Sequence, residues 1–235
     1  MEIKVTENNR KCKIIVIEGI DGSGKTVQSD ALVDYLKGQG KKVMSLSFPN
    51  YTSFFGMEVG KLLSGEYSIS ADNLDPKSMS LWYALDRYNV MNKVDCEEYD
   101  YLIINRYTLS SVVYQSIRDN SKADISEWIL ELEHNYLNMP KPNLYIVLDV
   151  APENSSENIM NKNKREYLEG VKDVYESNEA LLNLAREKYK QLSIEMNNVK
   201  IIECLDKNGK LKKKEQIQNL IIGVLKEWNL LDIIH

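Results

Sequence analysis

One short segment near the start of the chain restricts the fold more than any other feature. A strand-like apolar run at residues 12–18 leads directly into GIDGSGKT, which fits the pattern GxxxxGK[ST], and a helical pattern follows at residues 25–37. A glycine-rich turn between a strand and a helix lets backbone N–H groups surround a phosphate, and the helix dipole strengthens their effect. The sequence therefore predicts a nucleoside triphosphate site. It comprises Gly19, Ile20, Asp21, Gly22, Ser23, Gly24, Lys25, which would reach the β- and γ-phosphates, and Thr26, which would ligate Mg²⁺.

Strand-like and helix-like segments alternate along the rest of the chain. Because β-then-α order repeats, the crossovers should be right-handed, and we expect an α/β fold with a five-stranded parallel sheet and helices on both faces. No linker is visible, so we expect one domain over residues 1–235, with a polar N-terminal extension at 1–11 and a polar excursion at about 153–172. The further strands are predicted at 42–48, 101–105, 144–150 and 199–204, and the further helices at 76–97, 110–118, 126–137, 175–196 and 214–228.

The composition excludes several kinds of chemistry. A formal net charge of -5 argues against a protein that binds nucleic acid or an acidic membrane through bulk positive charge. Only two histidines, His134 and His235, could serve a Ser-His-Asp centre, and a histidine-rich zinc site is excluded. The three cysteines have no CxxC spacing, so no disulfide framework is expected. Neither a signal sequence nor an apolar stretch of 18 residues is visible, and we expect a cytoplasmic protein.

A second nucleotide-binding pattern occurs at residues 92–95, where NKVD fits the NKxD of guanine-binding GTPases. It lies at the end of a predicted helix, whereas a GTPase needs it just after a core strand. No DxxG switch follows a suitable strand. We interpret the match as accidental.

Polar side chains at the ends of predicted strands indicate where a second substrate could bind, because ligands of open α/β sheets lie beyond the carboxyl ends of the strands. The strand at 101–105 ends in Asn105 and is followed by Arg106, whereas no acidic residue follows the strand at 42–48. Tyr83 and Arg87 share one helix face, where they could stack on a nucleobase and hydrogen-bond its edge or a phosphate. From spacing alone, the simpler interpretation is a core Tyr83 and an Arg87 paired with Asp86 at the surface.

A family resemblance adds to this picture. The blocks EGIDGSGKTVQS, FPNY, SLWYALDR, NRYTLSSVVYQ, LDVAPE and KDVYE resemble, in this order, those of the thymidylate kinase family, from about residue 13 to residue 228. The most specific block is the segment that begins at Arg106 and ends at Gln115. The resemblance implies phosphoryl transfer from ATP to dTMP, with Mg²⁺, in a homodimer.

The resemblance also implies roles for individual residues, in addition to catalytic roles for Lys25, Arg106 and Asp21. Arg106 would bridge the acceptor and donor phosphates, and Asp21 would meet the acceptor sugar. Residues 153–172 resemble a lid that closes over ATP, with Arg165 contributing to the ATP site. The remaining acceptor residues would be Phe48 and Pro49 as pocket wall, Tyr83 stacked on thymine, Arg87 on the base or phosphate, Ser111 and Gln115 at the base edge, Tyr114 against the 2′ position, and Tyr175 and Glu176 after the lid.

Two positions depart from the family pattern. The family usually has Asp-Arg where this chain has Asn105 and Arg106, and it usually has an arginine in or beside the FPNY block, where this chain offers Asn50 and Tyr51. These departures leave open a nucleotide-binding regulatory protein without activity. A deoxynucleoside kinase is a further alternative, although it should carry a carboxylate near residues 47–51. The absence of such an acid favours the monophosphate acceptor. Because the anionic oxygen of a monophosphate needs no strong general base, the scarcity of histidine is no handicap for this reaction.

Overall fold

The computed structural model describes residues 12–67, 69–119, 125–155 and 179–231. A five-stranded sheet lies at its centre with the strand order β2-β3-β1-β4-β5, and every neighbouring pair is parallel. The predicted α/β fold is therefore confirmed. The strands are β1 (Lys13–Glu18), β2 (Val43–Ser47), β3 (Tyr101–Asn105), β4 (Leu144–Asp149) and β5 (Val199–Glu203).

Seven α-helices lie wholly within the described ranges, and residues 152–155 are also helical. The seven are α1 (Lys25–Gly38), α2 (Phe54–Ser64), α3 (Pro76–Met91), α4 (Thr108–Arg118), α5 (Ile125–Glu131), α6 (Glu179–Glu195) and α7 (Lys214–Glu227). A 3₁₀ turn at Cys96–Glu98 precedes β3, and a π-helical segment at Leu132–Tyr136 continues α5.

Both faces of the sheet are covered, as the apolar runs of the strands require. Successive β1 side chains point to opposite faces, so Ile15 and Ile17 enter one core while Ile14 and Val16 enter the other. Helices α1 and α7 cover the first face, and α3, α4, α5 and α6 cover the second. The carboxyl ends of β1, β3 and β4 consequently meet at one edge, where the site lies.

Helix α2 was not predicted. Its N-cap is Ser53, whose hydroxyl accepts a hydrogen bond from the Gly56 amide at 3.0 Å. The two glycines of this helix weaken its sequence signal, yet Gly56 has a packing reason. A Cβ at this position would lie only 1.9 Å from the Asn50 carbonyl oxygen. Helix α2 can therefore pack directly against the loop that follows β2.

Two predicted helices were too long. Helix α3 ends at Met91, and the chain then turns into the 3₁₀ segment, where the Asp95 carboxylate accepts from the Glu97 amide at 2.9 Å. The NKVD tetrapeptide thus lies between a helix and a 3₁₀ turn, away from any strand end. The helix predicted at 126–137 is α-helical only to Glu131 and then becomes π-helical.

The predicted N-terminal extension at 1–11 and residues 156–172 of the predicted lid lie outside the described residues. Cys12 and Cys204 are buried, and burial raises the pKa of each thiol to about 12. Within the described ranges, no helix is both long enough and apolar enough to cross a membrane.

Candidate active site

The glycine-rich loop connects β1 to α1, as predicted. Gly19, Gly22 and Gly24 have positive φ angles, and Gly24 caps α1 in the left-handed region. A Cβ on Gly19 would lie 2.8 Å from the Leu148 carbonyl oxygen of β4. The loop therefore has the backbone conformation and the close approach to the sheet that only glycine permits.

Lys25 lies inside this loop rather than in solvent. Its side chain is 7% exposed, and its ammonium donates to the carbonyl oxygens of Gly19 at 3.1 Å and Ile20 at 2.7 Å. The ammonium lies 4.0 Å from the Asp21 carboxylate. A lysine that spans the loop in this way can contact a phosphate held there with a short side-chain movement.

Arg106 and Asp21 form an ion pair between the carboxyl ends of β1 and β3. Arg106 also donates to the Gly19 carbonyl oxygen at 3.3 Å, and Tyr114 donates to Asp21 at 3.5 Å. Burial alone would raise the pKa of Asp21, but the charges of Arg106 and Lys25 outweigh burial and hold the pKa below its ordinary value. The predicted catalytic residues Lys25, Arg106 and Asp21 thus lie together.

Glu18, which the sequence reasoning missed, supports the backbone around Arg106. Its buried carboxylate accepts from the Tyr107 amide at 2.8 Å, the Ser110 hydroxyl at 2.6 Å and the Tyr189 hydroxyl at 2.9 Å. Arg106 itself has φ 65°, a left-handed conformation that costs energy for a residue with a side chain. The signal was a charged residue at the end of an otherwise apolar strand.

The side chain of Asn105 contacts the end of the glycine-rich loop. Its side-chain N–H donates to the Thr26 hydroxyl at 3.2 Å, and its Oδ1 atom is buried without a partner among the described residues. An unpartnered amide oxygen beside an exposed hydroxyl fits a hard cation that prefers oxygen ligands. Within the described ranges, no group of three or more acidic, cysteine or histidine side chains is arranged so that it could hold a metal ion. Thr26 and Asn105 are therefore the residues that could contribute to a magnesium site.

Arg87 is deeply buried, which corrects the surface interpretation of this residue. Its side chain is 2% exposed and forms a bidentate pair with Glu133, with Nε–Oε2 at 2.8 Å and Nη2–Oε1 at 2.5 Å. Nη2 also donates to the Ser111 hydroxyl at 2.7 Å. The Tyr83 ring centroid lies 5.9 Å from the Arg87 guanidinium carbon. The predicted base-contacting residues Tyr83, Arg87 and Ser111 are thus adjacent.

Asp86 has a structural role of its own. Its carboxylate is 1% exposed and accepts from the Asn50 amide at 2.8 Å and the Ser53 hydroxyl at 2.6 Å. The sequence suggested no acid near residues 47–51, but helix α3 brings this one there. Because both oxygens bind the loop after β2, Asp86 fixes the segment that follows Pro49.

The other predicted acceptor residues flank this cluster. Phe48, joined to Pro49 by a cis peptide bond, is buried at the end of β2, and its ring lies 6.2 Å from that of Tyr107. Tyr114 and Gln115 are buried on α4. We use the name acceptor pocket for the seven predicted acceptor residues in the described ranges, which are Phe48, Pro49, Tyr83, Arg87, Ser111, Tyr114 and Gln115. Arg165, Tyr175 and Glu176 lie outside the described residues.

Comparison with known proteins agrees with this arrangement. The sequence profile of the family described as "Thymidylate kinase" matches residues 17–214. This chain belongs to the thymidylate kinase family. The matched range extends from β1 through the glycine-rich loop, the acceptor pocket and β5 to the start of α7.

Individual relatives are consistent with that membership. A probable thymidylate kinase of Sulfolobus acidocaldarius is 31% identical over 195 residues, which cover 81% of this chain and 88% of the relative. A thymidylate kinase of Mycobacterium tuberculosis is 28% identical over 158 residues, covering 65% and 73%. The solved thymidylate kinase of Candida albicans shares the fold with a TM-score of 0.68 at 17% identity, covering 92% of this chain and 91% of that chain.

Replacement of Glu18 in this thymidylate kinase family member should affect both stability and rate. In Glu18→Gln, an amide N–H would face donors that now bind a carboxylate oxygen. We expect a loss of about 2 kcal/mol in the free energy of unfolding, measured by urea denaturation, because buried hydrogen bonds to a charged group are lost. We also expect a lower turnover rate, since Arg106 loses its support. Unchanged stability would contradict this role.

Asn105→Asp tests the first departure from the family pattern. The substitution adds a negative charge beside Thr26, where the Asn105 amide now donates. We expect the turnover rate to rise about threefold to tenfold, because a carboxylate binds Mg²⁺ more strongly than an amide does. Steady-state rates over a series of Mg²⁺ concentrations measure this. An unchanged or lower rate would show that the site is adapted to asparagine.

Proposed function

We propose that this chain transfers the γ-phosphoryl group of ATP to dTMP, giving ADP and dTDP. The observation that carries the proposal is the position of Arg106. Its guanidinium contacts the Gly19 carbonyl and the Asp21 carboxylate of the glycine-rich loop, and its central carbon lies 5.8 Å from the ring centroid of the acceptor-pocket residue Tyr114. A guanidinium at that boundary can bind both the phosphate that is transferred and the phosphate that receives it. Membership of the thymidylate kinase family supports ATP as donor.

The proposed reaction requires charge neutralisation rather than a base. An oxygen of the dTMP phosphate forms a bond to the γ-phosphorus, while the bond to the β–γ bridging oxygen breaks and its electron pair leaves with ADP. Lys25 and Arg106 stabilise the charge on the transferred group, and the loop amides hold the β-phosphate. Mg²⁺, when bound through Thr26 and Asn105, would neutralise phosphate charge. No proton has to be removed from the acceptor.

The proposed roles of the acceptor pocket follow from its contacts. Tyr83 would stack on the thymine, with Arg87 and Ser111 at the base edge and Phe48 and Pro49 as wall. Asp21, held ionised by Arg106 and Lys25, would accept from the sugar hydroxyl, and Tyr114 beside it would disfavour a 2′-hydroxyl. Gln115, Arg165, Tyr175 and Glu176 are proposed from the family resemblance to complete the two sites.

We also propose a cytoplasmic homodimer that binds neither nucleic acid nor membrane. Supporting the dimer, helices α2 and α3 expose apolar side chains, with Phe54 62% exposed, Met57 45% and Leu81 43%. An exposed apolar patch of this kind is typical of a protein interface. Analytical ultracentrifugation should give twice the chain mass, and Phe54→Lys should yield the monomer.

An acceptor screen with ATP and Mg²⁺ tests the function. ADP release should be fastest with dTMP and at background with thymidine. Supporting this choice, both oxygens of Asp86, the acid that helix α3 brings near residues 47–51, accept hydrogen bonds from the loop after β2. They are therefore poorly placed to deprotonate a hydroxyl. Turnover of thymidine without turnover of dTMP would overturn the proposal in favour of a nucleoside kinase.

The pH profile of kcat/KM for dTMP should show no rise caused by the ionisation of a catalytic base. Because the pKa of Asp21 lies below its ordinary value of 3.8, its carboxylate stays ionised throughout the assay range. We expect kcat/KM for dTMP to rise only with ionisation of the substrate phosphate, near pH 6, and to stay level from about pH 7 to pH 9. A further rise above pH 7 would indicate a protein base and contradict the base-free reaction.

A further inference from the structure

Glu133 occupies an unusual position for a residue with no assigned role. It lies in the π-helical segment Leu132–Tyr136, and its carboxylate is completely buried. Oε1 accepts from Arg87 Nη2 at 2.5 Å, whereas Oε2 accepts from Arg87 Nε and from the Thr108 hydroxyl, both at 2.8 Å. π-Helical segments often occur at functional sites, because they place a side chain where a regular helix could not.

The ion pair between Arg87 and Glu133 determines which N–H groups of Arg87 remain to donate hydrogen bonds to a substrate. Glu133 takes the Nε–H and one Nη2–H, while the Ser111 hydroxyl takes the other Nη2–H at 2.7 Å. One Nη1–H is directed to the Tyr107 carbonyl oxygen at a long 3.5 Å. Among the described residues, only the second Nη1–H has no hydrogen-bond partner. Since a carboxylate at contact distance compensates the buried guanidinium, Arg87 is suited to donate one hydrogen bond and poorly suited to attract a phosphate.

The neighbouring polar groups are donors as well. Ser111 accepts from Arg87 and therefore has its own hydroxyl hydrogen to donate. Gln115 is one helical turn further on the same face of α4. Its carbonyl oxygen accepts from Arg118 at 2.5 Å, and its buried Nε2 has no partner in the described part of the chain. A surface of donors complements a base edge that presents a carbonyl oxygen and rejects one that presents an amino group.

We propose that Glu133 is a positioning residue that holds Arg87 as a charge-compensated, single-donor reader of the acceptor base, and thereby selects a 4-carbonyl pyrimidine over a 4-amino pyrimidine. The proposal rests on the function proposed above and extends it to a residue that does not itself touch the substrate. Without the carboxylate, the guanidinium would lose its orientation and keep an uncompensated charge.

The test is Glu133→Gln, with Glu131→Gln as the matched control on the exposed surface of the same helix. We expect KM for dTMP to rise about tenfold with kcat within threefold of wild type and KM for ATP unchanged. The ratio of kcat/KM for dTMP to that for dCMP should fall about tenfold. The control should match the unmodified enzyme. A purely structural role would instead lower kcat equally for every acceptor and leave KM unchanged, and that result would overturn the proposal.

A double-mutant cycle tests whether Glu133 acts through Arg87. In an Arg87→Met background, adding Glu133→Gln should change the dTMP-to-dCMP ratio less than twofold, because the group that Glu133 orients is gone. An undiminished effect in that background would contradict the proposal. If Glu133→Gln does not fold, Glu133→Asp, which keeps the charge but shortens the side chain, should still raise KM for dTMP. An unchanged KM would again overturn the proposal.

Calorimetric binding separates the two proposals. Titration of dTMP and dCMP into the unmodified chain, without ATP, measures base selection in the absence of turnover. A preference for dTMP that Glu133→Gln abolishes would support the positioning role even if no phosphoryl transfer occurred. If the enzyme transfers the phosphoryl group to dTMP and Glu133→Gln still binds dTMP in preference to dCMP, the proposed function stands. The positioning role of Glu133 would then be contradicted.

Discussion

Arg106→Ala should lower kcat for phosphoryl transfer to dTMP by about 10³–10⁵-fold, the effect seen when an arginine that stabilises a transferred phosphoryl group is removed. Arg106 bonds to Gly19 and Asp21 of the glycine-rich loop, and its guanidinium carbon lies 5.8 Å from the ring centroid of Tyr114 in the acceptor pocket. Stopped-flow or steady-state rates at saturating ATP and dTMP measure the loss.

Two measurements make this prediction specific. ATP binding, followed by calorimetry, should change little, because Lys25 and the loop amides are untouched. Arg106→Lys keeps the charge but cannot contact Gly19, Ser110 and Asp21 together, as the guanidinium does. It should recover only a small part of the rate. Wild-type turnover in Arg106→Ala would contradict the assignment.

Lys25→Met should also lower kcat strongly, and unlike Arg106→Ala it should weaken ATP binding. Its ammonium donates to two carbonyl oxygens of the glycine-rich loop and lies within reach of a bound phosphate. We expect kcat to fall about 10²–10³-fold, the usual consequence of removing one donor that stabilises transition-state charge. The apparent affinity for ATP should fall as well, which distinguishes this variant from Arg106→Ala.

Lys190→Met is a suitable control for the loss of a lysine. Its ammonium pairs with Glu187 at 3.1 Å and lies 3.9 Å from Asp149 at the end of β4, so among the described residues its ion pairs are with carboxylates outside the glycine-rich loop. Steady-state kinetics in ATP should therefore match the unmodified enzyme within about twofold. Equal losses in the two lysine variants would mean that general charge, rather than the position of Lys25, accounts for the effect.

The sequence predicted the sheet and the glycine-rich loop well because the patterns that indicate them are local. Glycines at fixed spacing, the lysine that follows them and the apolar run before them determine the β1–α1 unit, and alternation of strands and helices determines the sheet. The sequence did not predict helix α2 because the contacts that stabilise it come from other parts of the chain. Its start depends on Ser53, which Asp86 of helix α3 also holds, and on the fit of Gly56 against Asn50.

The partners of the site residues were harder to predict for the same reason. The spacing of Tyr83 and Arg87 indicated a shared face, but Arg87 pairs with Glu133, 46 residues away in sequence, rather than with adjacent Asp86. Helix direction explains the difference, since neighbouring residues on a helix point to different sides. Glu18 likewise binds Tyr189 across 171 positions. Such long-range pairs require the packed fold.

The most direct test of the proposed reaction is single-turnover transfer from ATP labelled at the γ-phosphate, with enzyme in excess over ATP and with dTMP and Mg²⁺ present. Chromatography should show the label moving from ATP into the β-phosphate of dTDP, at a rate that Arg106→Ala abolishes. The proposed function would be contradicted if ATP binds but the label stays in ATP, or passes only to inorganic phosphate, at every dTMP concentration.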